Sequence, residues 1–320
     1  MEQRALGKTG FSVAPLAFGG NVFGWTIDEA QSFNLLDAFV AGGGNFIDSA
    51  DVYSKWKEGN QGGESETIIG SWLKARGGRE KVVIATKVGM DFSPERGGLS
   101  RRWITAQVEE SLKRLRTDYI DLYYAHRDDE TVPQEETLEA FGALVKAGKV
   151  RAIGASNFKA PRLKSALEIS DKAGLPRYAV LQPLYNLYDR ADFEGALQDL
   201  CVAEGIAVAP YYTLASGFLT GKYRTEADLA QSARGGKVGS NYLNERGLRI
   251  LKAMDEVAAR FGVKLSQVAV AWLAARPAVA APIASATSVQ QLEELLAAAR
   301  LKLDADAIKA LDEAGALTTA

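Results

Sequence analysis

The feature that most constrains this chain is a repeated alternation: short runs rich in β-branched and aromatic residues give way to longer stretches with apolar residues at helical spacing. The short runs are "APLAF", "NFID", "VVIAT", "YIDLYY", "RAIGAS", "YAVLQ", "IAVAPY" and "VAAPI", eight in all. Such alternation predicts parallel βα units, because a strand buried on both faces needs a crossover helix before its parallel neighbour. A closed barrel and an open doubly wound sheet both satisfy it. The open sheet would carry a G-x-G-x-x-G turn after its first strand, and "FGGNVFG" does not supply one. The sequence therefore predicts an α/β fold, a (β/α)8 TIM barrel. No linker or low-complexity tract interrupts the 320 residues, so residues 1–320 read as a single domain.

Several helices announce their ends. "TIDEAQSFNLLDAFVAGGG" predicts a capping box from Thr26 to Glu29, a buried stripe at Phe33, Leu36 and Val40, and a stop at Gly42. "RWITAQVEESLKRL" places Ile104, Val108, Ser111, Leu112 and Leu115 on one face. "VPQEETLEAFGALVKAGK" starts near Pro133, turns Leu138, Phe141 and Val145 inward, and stops at Gly148. Two pieces fall outside the repeat. "RALGKTGFSVA" predicts an N-terminal β-hairpin turning between Gly7 and Gly10, suited to plug the barrel floor, and the segment from Thr213 to about Leu243 is too long for an ordinary βα loop.

Composition narrows the function. Cys201 is the only cysteine, which leaves no intrachain disulfide and no thiolate cluster, and His126 is the only histidine, which removes multi-histidine metal sites. The formal net charge is -2 with both signs interspersed, so there is no basic footprint for nucleic acid and no polybasic membrane patch. "MEQRALGKTG" lacks the apolar core of a signal peptide, and the most apolar stretch is broken by Arg276, Pro277 and Pro282. The expectation is a cytoplasmic protein, monomer or homo-oligomer, with a small-molecule partner and without metal, nucleic acid or membrane.

In a barrel the working face lies where the strands end. The polar residues there are Asp48, Lys87, His126, Ser156, Asn157, Gln182 and Tyr211, with Tyr53 five positions past Asp48. Taken singly, each has a structural reading: a loop cap, a snorkelling lysine, a core histidine. A lysine at the end of an apolar strand needs a carboxylate beside it, so Asp48 and Lys87 are expected to pair. An ammonium near Tyr53 would favour tyrosinate and lower the phenol from its usual value near ~10. No G-x-S-x-G elbow, P-loop or zinc-ligand spacing is present, which leaves acid–base chemistry on a carbonyl or alcohol, a reaction that needs a hydride carrier.

The motifs "GGNFIDSADVYS", "VVIATKVG", "DYIDLYYAHRDD", "GKVRAIGASNF", "LQPLYNLYDR" and "YYTLASGFLTGKY" stand in an order and spacing that resemble the aldo-keto reductase superfamily over nearly the whole chain. The resemblance implies a tetrad on Asp48, Tyr53, Lys87 and His126: Tyr53 as general acid/base, Lys87 lowering its pKa, Asp48 fixing Lys87, His126 orienting the substrate carbonyl. It implies a nicotinamide held by Ser156, Asn157 and Gln182 with Tyr211 stacked on the ring, and Gly20, Asn21 and Asp48 also beside the cofactor. The long segment would be a cofactor-clamping loop after strand 7, in which Leu214, Ser216, Gly217 and Lys222 meet the pyrophosphate, with Thr213 also beside the cofactor.

The last strand departs from the family pattern. In "PIASATSVQQLEELL", Ser285 stands for a common glycine, Thr287 for a residue often basic and Leu295 for an asparagine, whereas Gln291 and Glu294 match. Arg234 is a candidate substitute for the missing cation at a 2′-phosphate, and NADP(H) is placed ahead of NAD(H). Phe23, Trp25, Trp56, Phe92, Arg127 and Tyr212, with Tyr53, are the expected substrate contacts for an aldehyde, ketone or corresponding alcohol. The alternative is a cofactor-binding regulatory subunit resembling potassium-channel β-subunits, with little turnover; the intact tetrad speaks against it.

Overall fold

The computed structural model describes residues 1–93, 96–231 and 235–316. A two-stranded hairpin comes first, β1 (Arg4–Ala5) antiparallel to β2 (Ser12–Val13), turning through Gly7 and Gly10, both at positive φ. Eight parallel strands follow among the described residues: β3 (Ala17–Gly19), β4 (Phe46–Asp48), β5 (Val83–Val88), β6 (Ile120–Ala125), β7 (Val150–Ser156), β8 (Tyr178–Gln182), β9 (Ala207–Val208) and β10 (Ile283–Ala284). All eight overlap the runs read from the sequence, the last only at Ile283. Neighbours in sequence are neighbours in the sheet, and β10 pairs back with β3. The last gap closes where Val208 donates to Ala278 O (2.8 Å), accepts from the Ala280 N–H (2.9 Å), and Ile283 donates to Pro210 O (2.9 Å). This is the (β/α)8 TIM barrel.

The helices α1 (Glu29–Ala41), α2 (Glu64–Arg76), α3 (Arg101–Leu115), α4 (Gln134–Lys146), α5 (Ala160–Ala173) and α6 (Ala196–Glu204) separate the first seven barrel strands; α7 (Gly235–Tyr242), α8 (Glu245–Phe261) and α9 (Leu265–Ala274) precede β10, and α10 (Val289–Ala298) and α11 (Ala305–Gly315) end the chain. In α3 the buried face is the predicted one with Gln107 added. In α1 the expected stripe packs inward, Leu36 fully buried and Phe33 and Val40 half-buried against the core, and Ser32, Leu35 and Phe39 are buried beside it; the N-cap is Asp28, whose side chain accepts from the Gln31 N–H, and the expected Thr26 capping box does not form. An aspartate one residue before the first helical turn outcompetes a threonine three residues before it.

Strand parity separates two apolar layers. Phe46, Val83, Ala85, Leu122, Tyr124 and Val180 fill the barrel interior together with Leu6 and Val13 of the hairpin, while Ile47, Ile84, Tyr123 and Ile153 face the helices. The hairpin seals the floor as expected. The segment from Thr213 to Leu243 is folded rather than loose over its described part: 3₁₀ turns at Ala215–Thr220 and Glu226–Gln231 lead into α7, and Phe218, Leu219, Tyr223, Val238 and Tyr242 are buried.

Candidate active site

The parity that points Val83 and Ala85 into the barrel also points Lys87 inward, and Asp48, Ser156 and Gln182 likewise follow inward-facing residues on their strands. Above the last apolar layer the interior thus turns polar. Lys87 is completely buried and donates three hydrogen bonds: to Asp48 Oδ2 (2.7 Å), to Ser49 O (2.6 Å) and to the Tyr53 hydroxyl (2.9 Å). Its ammonium also lies 4.5 Å from the Tyr53 ring centroid. The Tyr53 hydroxyl leans toward Asp48 Oδ2 at 3.3 Å, and Gln182 Nε2 donates to Asp48 Oδ1 at 2.9 Å. The expected pairing of Asp48 with Lys87 is therefore present, and Gln182 completes the shell of the carboxylate.

The electrostatics differ from expectation at Tyr53. Burial, and next the Asp48 carboxylate, push the phenol well above its usual value, so the lowering by Lys87 does not prevail. The physical reason is first the loss of water around a phenolate, and next the negative charge of Asp48, to which the ammonium is already committed. Burial also draws the Lys87 ammonium down, with Asp48 opposing. His126 sits with its ring 6.1 Å from that of Tyr53, edge to face. Burial, then Lys87 and Arg127, hold its imidazole well below the usual range, and its Nδ1 is enclosed without a partner. The group flanking Tyr53 is thus a neutral imidazole.

Next to this tetrad lies a second polar set. Asn157, in the left-handed region at φ 57, donates from Nδ2 to His126 O (2.9 Å) and to Ser156 Oγ (3.0 Å), and its Oδ1 accepts from the Tyr211 hydroxyl (2.7 Å). Ser156 Oγ donates to Gln182 O at 2.9 Å. Thr213 Oγ1 donates to Ile283 O (2.7 Å), tying the end of β9 to β10. Beyond it Ala215, Ser216 and Gly217 run at φ 47, 58 and 95, just after Leu214, and a Cβ on Gly217 would lie 3.2 Å from Lys222 Cε. The Ala215 and Gly217 N–H groups are held by Tyr212 O (2.7 Å) and Leu214 O (2.8 Å).

At the other side of the mouth, Gly20 and Asn21 form a 3₁₀ turn after β3, and Ser285 Oγ bridges Gly19 O (2.8 Å) and Asn21 Oδ1 (2.6 Å). Gln291 Oε1 accepts from both the amide (2.9 Å) and the hydroxyl (3.1 Å) of Thr287, while Glu294 is ion-paired with Lys264. Arg234 lies outside the described residues.

Among the expected substrate contacts, Trp56 is 50% exposed and meets Trp25 and Tyr53 edge to face at 5.5 and 5.9 Å. Tyr212 is exposed beside Tyr211. Arg127 is paired with Asp91 at 2.6 Å, and Phe92 packs near Trp103 on the rim. Phe23 is a correction. It is completely buried against Phe18, because the turn after β3 folds its ring into the outer core rather than the mouth. Sequence reading missed Glu66 and Arg114, both packed beneath the tetrad; a charged pair split between two helices has no local signal.

The family model for the aldo/keto reductase family matches residues 15–316. The chain belongs to the aldo/keto reductase family. It is 36% identical to the uncharacterized oxidoreductase YrpG of Bacillus subtilis, over 98% of this chain and 95% of that one. It is 32% identical to the aryl-alcohol dehydrogenase [NADP(+)] of Phanerodontia chrysosporium, over 95% and 83%. It is also 34% identical to a probable voltage-gated potassium channel subunit beta of Oryza sativa, over 92% and 90%. The family is one of oxidoreductases that generally use nicotinamide cofactors.

Proposed function

We propose that this protein transfers hydride between a nicotinamide dinucleotide, NADP(H) ahead of NAD(H), and an aldehyde or ketone or the corresponding alcohol, with Tyr53 as general acid/base. The observation that carries this reading is the buried Asp48–Lys87–Tyr53 cluster at adjoining strand ends with neutral His126 beside it. The residues present fit the cofactor: Ser156, Asn157 and Gln182 offer amide and hydroxyl groups in one row, and the Lys222 ammonium beside Gly217 suits a pyrophosphate. When bound, the dinucleotide supplies hydride from its nicotinamide. The aryl-alcohol dehydrogenase relative, which carries NADP(+) in its name, supports the choice of dinucleotide.

In the direction of reduction, Tyr53 holds its proton and gives it to the carbonyl oxygen as negative charge develops there. Lys87, donating to the phenol oxygen, stabilises the tyrosinate left behind. Asp48 keeps the ammonium in place, and His126 orients the carbonyl by hydrogen bonding. Trp25 and Trp56 form an aromatic wall suited to a planar substrate.

The test is oxidation of NADPH, then NADH, with a panel of aldehydes and ketones. Tyr53→Phe is expected to lose ~10²- to 10⁴-fold in kcat while binding cofactor normally. Full activity in that variant removes Tyr53 from the reaction. The second reading, a regulatory subunit with little turnover, is favoured by the likeness to the rice channel subunit; tight cofactor binding with no turnover across the panel would select it.

A further inference from the structure

Asp51 lies in the turn between β4 and Tyr53, and the acid–base reading gives it no task. The fold nevertheless hides it completely. Neither carboxyl oxygen has a hydrogen-bonding partner of good geometry, and the Val52 N–H is the backbone group that pulls on it. The charged and titratable groups facing it are Glu66 from α2, Arg114 from α3, Lys87 from β5 and Tyr123 from β6.

Glu66 is completely buried as well. Its Oε2 accepts from Arg114 Nε (2.6 Å) and its Oε1 from the Thr86 hydroxyl (2.5 Å). Thr86 precedes Lys87 and, by strand parity, faces the helices while Lys87 faces the site. Lys87 has its three N–H groups engaged by Asp48, Ser49 and Tyr53, so Arg114 is the cation left to two buried carboxyls. Burial, and next the Glu66 carboxylate, push the Asp51 carboxyl well above the usual carboxylate range, with Arg114 opposing.

The first turn of α2 also grips the other side of the site. The Gly63 N–H donates to Tyr53 O (3.2 Å), Ser49 Oγ donates to Ser65 Oγ (2.9 Å), and Ser65 Oγ to Gly20 O (2.8 Å). The Asp51 N–H reaches Lys87 O at 3.3 Å.

We propose that Asp51 and Glu66 are positioning residues for Lys87 and Tyr53: a single negative charge, shared by the two carboxyls and held by Arg114, clamps β5 at Thr86 on one side and the Tyr53 turn on the other. Either carboxyl can carry that charge. When Glu66 is made neutral, Arg114 is unpaired and the repulsion on Asp51 is gone, so Asp51 gives up its proton and takes over the pairing. When Asp51 is made neutral, the Glu66–Arg114 pair stays as it is. Loss of both removes the two carboxyls that Arg114 meets beneath the site and leaves Glu110, one turn back on α3, as its acidic neighbour.

The inference rests on the proposed role of Tyr53, and the experiment separates the two. With NADPH and 4-nitrobenzaldehyde as the probe pair, Asp51→Asn should keep kcat within about 3-fold and Glu66→Gln should lose no more than about 10-fold. The double variant should fall at least about 10-fold below the product of the singles, a coupling of the size that contacting residues show. NADPH affinity by fluorescence and the aldehyde KM should stay within about 2-fold, as expected when an interaction acts only on the chemical step. A readout independent of the double variant is the pH profile of Glu66→Gln, in which kcat acquires a new acid limb as Asp51 takes up its proton. Additive losses, a more than tenfold loss in Asp51→Asn alone, or a Glu66→Gln profile parallel to wild type each overturn the proposal. An active Tyr53→Phe overturns the acid–base reading instead.

Discussion

At the residue scale, Lys87 donates to the Tyr53 phenol oxygen at 2.9 Å, and the phenol's own proton is directed to Asp48 Oδ2 at 3.3 Å. Burial, and next the Asp48 carboxylate, push that phenol well above its usual value, so it stays protonated beside the Asp48–Lys87 pair. His126 titrates with a clear sign. Its folded-state pKa lies well below the usual imidazole value, so below about pH 6.5 the unfolded chain takes up a proton that the native protein refuses. Stability from this source is full above that pH and declines as pH falls beneath it. Because His126 is the only histidine, His126→Gln isolates the effect. Denaturant melts should show wild type losing up to ~1.4 kcal/mol per pH unit below ~6.5 relative to the variant. A difference that stays constant from pH 7.5 to 5.5 would contradict the buried neutral imidazole. Asp48, Lys87 and His126 were legible as candidates because each ends an apolar run, and Tyr53 because it follows Asp48 by five residues. Asp51 was legible only as a turn residue, since nothing local distinguishes a solvated aspartate from one buried beside Glu66 and Arg114.

At the scale of elements, strands were easier to read than helix faces. Parity has only two outcomes and one residue of known direction settles a strand, whereas the width of a helical stripe is left open by spacing, as in α1, which buries Leu35 and Phe39 beside the expected Leu36. The hairpin was legible from its glycines, and the structure supplies the reason for one of them. Gly7 lies at φ 58, and a Cβ there would come within 2.5 Å of Ala179 O on β8. Gly7→Ala is therefore expected to destabilise the fold by about 1–3 kcal/mol, the size of a left-handed strain combined with a backbone clash. Urea unfolding checks this. Gly10 is also at positive φ but meets no neighbour within 4 Å, so Gly10→Ala should cost less; equal losses at the two positions would show that the hairpin does not press on the barrel floor.

At the scale of the whole molecule, the segment after Thr213 is the one long excursion from the βα repeat. Thr213 anchors it through Ile283, and Asp189 accepts from Tyr242 (2.9 Å) at its far end, so it is tethered at both ends. If it clamps the cofactor, amide exchange across residues 213–243 should slow by about tenfold or more on adding NADPH, while exchange in the hairpin stays unchanged. Uniform slowing across the barrel would mean general stabilisation by binding and no dedicated clamp. The sequence by itself determined the α/β class, the eight strands, the plugged floor and the row of polar residues at the strand ends, because periodicity and strand-end position are local properties. Only the tertiary structure decided that Tyr53 keeps its proton, that Phe23 belongs to the core, and that Asp51 and Glu66 are completely buried with Glu66 paired to Arg114. Those outcomes depend on burial and on charges brought together from separate elements, and the balance between them is set by distance in space, which no spacing along the chain encodes.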